Sequence, residues 1–228
     1  MQIMKTLLSR PIAALLLAGA LIASPAQAAP PLSAALQGEL DRAVLEYESG
    51  RVAAARTALE SLAVRGVPAA QYNLAAMHLR GEVPQPDRQL ALRLLTRAAE
   101  GGFVTAQFML AQGLENGEFG SRDMALAYRW YEVAATSGSV DAQVAMGTAH
   151  YLGRGASKDA AKAARWYREA AKGGDVGAQY LLASMYEHGD GVAQDLRLAR
   201  YWYDIAARNG DEAAPGKLKE VVAKLRAS

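Results

Sequence analysis

Three histidines, His78, His150 and His188, are the side chains of this 228-residue sequence best suited to proton transfer or metal ligation near neutral pH. His188 has Glu187 beside it, but adjacent residues on a helix point apart and form no acid–base dyad. Cysteine is absent, which excludes disulfides, thiolate metal sites, cysteine nucleophiles and a lipid-anchored amino-terminal cysteine. No serine stands in a nucleophile-elbow context and no His-Glu metal motif occurs. Gly153-Arg154-Gly155 and Gly189-Asp190-Gly191 are faintly like phosphate-binding turns, yet no strand precedes them and no Lys-Ser or Lys-Thr completes them. They are expected to shape loops. No catalytic residue, metal site or cofactor is expected, and an enzyme would need a cluster of titratable groups that this inventory lacks.

Charge narrows the partners. The chain carries 25 Lys and Arg against 23 Asp and Glu, a net charge of +2. Lys5 and Arg10 precede an apolar run from Ile12 to Ala23 and the small-residue stretch Ser24-Pro25-Ala26-Gln27-Ala28. That order predicts a secretory signal over residues 1–28, cleaved near Ala28. The run is shorter than the roughly 20 apolar residues of a membrane-crossing helix, so no stable span is expected after processing. Without the leader, acidic and basic residues are equal in number. A neutral chain has no basic surplus to displace counterions, and nucleic acid is not an expected partner. Export without cysteine points to a bacterial periplasm or a secreted product.

Positioning falls to a repeat. Ala-Gln pairs stand at 70–71, 106–107, 142–143 and 178–179, a constant step of 36 residues, and Ala214 keeps the step with Pro215 beside it. Gly81, Gly117, Gly153 and Gly189 share it, as do Asp87, Asp123, Asp159 and Asp195. Trp-Tyr pairs follow at 130–131, 166–167 and 202–203, with Leu94-Leu95 in the earlier slot. A fixed period of this length marks stacked supersecondary units. Each unit reads as two helices. The first runs from about the Ala-Gln pair to the glycine, with Ala70, Gln71, Leu74, Ala75 and His78 on one stripe. The glycine ends it, and the aspartate caps the second helix. There Ala127, Trp130, Tyr131, Ala134 and Ala135 make one apolar face, small residues allowing close approach and aromatics filling gaps. His78 and His150 occupy the same place in units two steps apart, so they recur with the architecture.

The expected fold is all-α, a right-handed α/α superhelical solenoid of about five helical hairpins plus a C-terminal capping helix. After the leader, residues 29–228 form a single repeat domain. It comprises a degenerate unit at 34–69 with a shortened loop, full units at 70–105, 106–141, 142–177 and 178–213, and a polar cap helix at 214–228.

If the apolar stripe of each first helix points into the stack, the opposite side faces a concave groove. The wheel assigns to it Asn73 and Arg80, then Met109, Gln112 and Asn116, then Thr148 and Leu152, then Leu181, Ser184 and His188. Small, amide-bearing and moderately apolar, with little charge, they suit an extended peptide or a partner helix. A purely solvated face is the alternative.

The segment AQYLLASMYEHGDGVAQDLRLARYWYDIAARNGD, Ala178 to Asp211, closely resembles the Sel-one-like repeat, a relative of the tetratricopeptide repeat, and ARWYREAAKGGDVGAQ resembles another stretch of it. Four clear copies cover 70–213 and a degenerate one covers about 34–69. His78, Leu114 and His150 replace the tyrosine that Tyr186 retains. The resemblance implies α/α solenoids acting as adaptors in bacterial envelope processes. It leaves open a passive scaffold, a regulator docking on a sensor kinase or secretion component, and a weak hydrolase of cell-wall or β-lactam substrates dependent on His188 or Glu187. The expected partner is a protein or peptide of the cell envelope. Oligomeric state is open.

Overall fold

A computed structural model describes residues 32–227. The predicted leader, residues 1–28, lies outside the described residues. Among these there are eleven α-helices and no strand. They are α1 Ala34–Glu48, α2 Val52–Val64, α3 Pro68–Arg80, α4 Arg88–Glu100, α5 Val104–Asn116, α6 Met124–Thr136, α7 Val140–Leu152, α8 Ala160–Lys172, α9 Val176–His188, α10 Leu196–Arg208 and α11 Ala214–Ala227. Each successive pair packs as a hairpin. The fold is an α/α solenoid of helical hairpins with a final single helix. Two compact units divide it between Ser139 and Val140, the first holding α1–α6 and the second α7–α11.

The helix boundaries follow from capping. The first helix of each full repeat starts two residues before the Ala-Gln pair, earlier than the sequence pattern suggested, at Pro68, Val104, Val140 and Val176. Pro68 suits a first helical position because its missing N–H would have no partner there. Gly81 closes α3 at φ +73, a left-handed conformation that costs a side-chain-bearing residue about 1–2 kcal/mol. The aspartates then open the second helices as expected. Asp87 accepts from the backbone N–H groups of Gln89 and Leu90 at 2.8 and 2.9 Å, Asp195 makes the same pair of bonds with Arg197 and Leu198, and Asp123 and Asp159 cap through Leu126 and Lys162. The connection in the α1–α2 hairpin is short, residues 49–51, against 81–87 between α3 and α4.

Alanine lets these helices meet. In unit one Ala55, Ala70, Ala91, Ala98 and Ala106 are fully enclosed, with Leu59, Leu62, Leu95 and Met109 filling between them. In unit two Ala163, Ala178, Ala199 and Ala206 do the same around Leu182 and Tyr203. The Trp-Tyr pairs divide the work differently from the single buried face expected. Tyr131, Tyr167 and Tyr203 are buried, whereas Trp130, Trp166 and Trp202 are half-buried at the edge of the stripe.

The glutamine of the Ala-Gln pair has a polar task. Gln71, Gln107 and Gln179 are buried, and each side-chain amide donates to a carbonyl eight residues earlier, in Ala63, Ala99 and Ala171, at 3.1–3.2 Å. Those carbonyls belong to the last turn of the preceding helix, where intrahelical donors run out. Gln179 Oε1 also accepts from Asn209 Nδ2 at 3.0 Å. Gln179→Ala strips both bonds inside the core, so stability should fall by about 2 kcal/mol. Urea unfolding checks this, and an unchanged midpoint would contradict it.

Candidate functional site

The side chains with chemical potential are mostly tied into the scaffold. His78 is buried and its Nδ1 accepts from the Asp87 backbone N–H at 3.1 Å. At the same repeat position His150 is buried with Nδ1 3.2 Å from the Ser157 carbonyl, to which it donates. One position thus uses opposite ring tautomers to hold the loop that follows its helix. Glu187 is 2 % exposed. Its carboxylate receives the Tyr203 hydroxyl at 2.9 Å and Lys224 Nζ at 2.6 Å, clasping α10 and α11 to α9. Burial pushes the Glu187 carboxyl up, but the bonds from Lys224 and Tyr203 and the lysine charge outweigh it and hold the group below its ordinary value of 4.5. Tyr203 is pushed above its ordinary range by burial and by its bond to Glu187. Tyr131 behaves alike, through burial and a 2.6 Å bond to Glu115. The Glu187–His188 pair therefore splits, the first sealed in the core and the second exposed. Among the described residues no group of three His, Asp or Glu could hold a metal ion.

The ten residues assigned to the groove separate. In unit one Asn73, Met109 and Gln112 are buried, not on an open face as the wheel had them, and the Asn73 amide has no hydrogen-bond partner. The reason is that α3 and α5 are enclosed on more sides than an isolated wheel allows, with a buried run from Ala69 to His78 in α3. Arg80 is half-buried, its Nε 3.0 Å from Glu82 and its guanidinium 5.7 Å from the centre of the Tyr47 ring. Asn116 is exposed at the end of α5. In unit two Thr148 is half-buried, its hydroxyl 3.1 Å from that of Tyr167. Leu152, Leu181 and His188 are exposed, and Ser184 is half-buried.

Three of these, Leu181, Ser184 and His188, line one pocket of about 130 Å³ between α7 and α9, with Tyr151, Tyr167, Met185 and Asp190. Its origin is a break in the repeat. Glu115 and Glu187 share a repeat position and each accepts from the tyrosine 16 residues later, but the middle copy has Tyr151 there. Deprived of that glutamate, Tyr167 turns to Thr148, and Tyr151 shares the pocket with Asp190, whose carboxylate raises the Tyr151 hydroxyl above its ordinary range. Gly147 makes room, since a Cβ there would lie 2.7 Å from the Tyr167 ring. Tyr151 and Asp190 were not foreseen as site residues, although the tyrosine in a glutamate column was visible in the sequence.

Comparison with known proteins fits this architecture. The Sel1 repeat model matches residues 68–103, 104–139, 140–175 and 176–211, more than half of the chain. The chain belongs to the Sel1 repeat family. Sel1 repeats are generally protein–protein interaction scaffolds and typically non-catalytic. The α1–α2 hairpin precedes the matched segment and differs from Sel1 repeats in its short connection. Among solved structures, the chain is similar to c5321, a protective antigen of uropathogenic Escherichia coli with an SLR fold. The TM-score is 0.76 and identity 29 %, over 85 % of this chain and 42 % of that one. A Sel1 repeat protein from Oxalobacter formigenes gives 0.69 and 34 %, over 73 % and 49 %. The chain thus spans less than half the length of these two relatives. No curated protein matches it.

Proposed function

We propose that this chain is a non-catalytic adaptor of the bacterial envelope, exported to the periplasm, that binds a protein or peptide partner through the α7–α9 face. The observation that carries this is the open pocket lined by exposed Tyr151 and Leu181, with exposed Leu152 following Tyr151 in α7, in a scaffold whose buried His78, His150 and Glu187 are already hydrogen-bonded. Exposed apolar side chains gathered round a concavity are the usual mark of a docking site. The order of charge, apolar run and small residues at the amino terminus supports the periplasmic address.

Leu152→Glu and Leu181→Glu place a carboxylate on the docking face without disturbing the core. Partners recovered by whole-cell crosslinking should fall at least about tenfold with either variant, the cost of desolvating a charge at an interface. Unchanged recovery from a folded variant would remove the adaptor function from this face.

A further inference from the structure

We propose that the α7–α9 pocket receives the cationic side chain, lysine or arginine, of an extended segment in the partner. This rests on the adaptor function and specifies what it recognises. At about 130 Å³ the pocket is well below the roughly 300–1,000 Å³ of small-molecule sites, and its size suits one side chain.

Its polar groups can all accept. Asp190 brings a carboxylate, and no lysine or arginine lines the pocket. His188 Nδ1 lies 2.8 Å from the Ser184 carbonyl and must donate to it, so in the tautomer this bond selects Nε2 carries the lone pair that can accept an incoming N–H. The Ser184 and Tyr167 hydroxyls can accept as well. A lysine ammonium offers three donors and a guanidinium five, and neither accepts, which complements this set. The remaining lining is apolar or aromatic, from Leu181, Met185, Tyr151 and Tyr167. It matches the methylene stem of such a side chain, and a tyrosine ring near the charge adds attraction. A carboxylate would meet Asp190 as a like charge. An apolar side chain would strip water from Asp190 and return no partner to it.

The test uses the full chain carrying ¹³C-methyl methionine. Blocked pentapeptides Ala-Ala-X-Ala-Ala, with X lysine, arginine, norleucine or glutamate, are titrated while the Met185 methyl signal is followed. Lysine and arginine peptides should shift it saturably, norleucine and glutamate peptides at least tenfold more weakly, and Asp190→Asn should weaken the lysine peptide at least tenfold. Tyr151→Phe keeps the ring but removes the hydroxyl that shares the pocket with Asp190 and competes with the ammonium for its carboxylate, so it should bind the lysine peptide as well as or better than the parent. This second variant decides the matter if Asp190→Asn fails to fold. Equal binding of norleucine, preference for glutamate, indifference to Asp190→Asn, or loss in Tyr151→Phe would each overturn the cation site. None of these outcomes touches the adaptor function, which falls only if the Leu152 and Leu181 variants retain their crosslinked partners.

Discussion

Gly191→Val should destabilise the second unit by at least about 3 kcal/mol, the sum of a left-handed backbone penalty and a clash that cannot relax cheaply. Gly191 has φ +68, and a Cβ built on it would lie 2.2 Å from the Ala160 carbonyl oxygen and 2.7 Å from the Ala161 nitrogen. Both neighbours are backbone, at the start of α8, so no side-chain rotation removes the overlap. The loop must move, and Asp190 moves with it. Gly216→Ala is the matching control, because nothing lies within 4 Å of its added Cβ and it sits in α11. There alanine should stabilise by about 0.5–1 kcal/mol through helix propensity. Urea denaturation followed by circular dichroism measures both, and a Gly191→Val protein as stable as the parent would show that the α8–loop approach is not as close as described.

Glu187→Ala should cost about 3 kcal/mol, since it leaves the Tyr203 hydroxyl buried with no carboxylate to receive it and releases α11 from its lysine contact. Lys224 is half exposed and returns to water when Glu187 is lost, whereas Lys224→Met leaves the buried carboxylate with Tyr203 but without its cation, so it should cost at least as much as the loss of Glu187. The pH dependence has a definite sign. The folded carboxyl lies below its ordinary value of 4.5, so its contribution is present above that value and is lost as the pH falls through the folded pKa. The stability gap between the parent and Glu187→Gln should therefore be widest above pH 5 and narrow on acidification. Urea midpoints at a series of pH values check this. A gap that widens towards acid would mean that Glu187 is held protonated in the fold.

The clasp gives Lys224 of the cap helix a structural task. Its outer face is polar as expected of a terminal helix, yet Lys224 reaches into the stack to neutralise the one buried glutamate of α9. The same glutamate column gives unit one its Tyr131–Glu115 bond. Where the column holds Tyr151, the surface opens. A departure from the repeat thus marks the pocket, as in other scaffolds whose periodic residues pack and whose irregular ones recognise.

The repeat itself was readable without coordinates. A constant 36-residue step in Ala-Gln, Gly, Asp and Trp-Tyr fixes the hairpin count, because capping and helical periodicity are local and depend only on residues a few positions apart. The aspartate caps and glycine ends follow from it, as does the structural place of His78 and His150. Other features depended on distant neighbours. Asn73, Met109 and Gln112 are enclosed while Leu181 and His188 stand open at equivalent or adjacent positions of the same helical frame. A wheel sees one helix, whereas burial is set by every element packed around it. The partner of Gln179 in the preceding helix, the lysine of α11 on Glu187 and the meeting of Tyr151 and Asp190 in one pocket are likewise matters of which side chains the fold brings within reach. Periodicity determined the modules of this protein, and only their packing decided where the surface opens into a pocket.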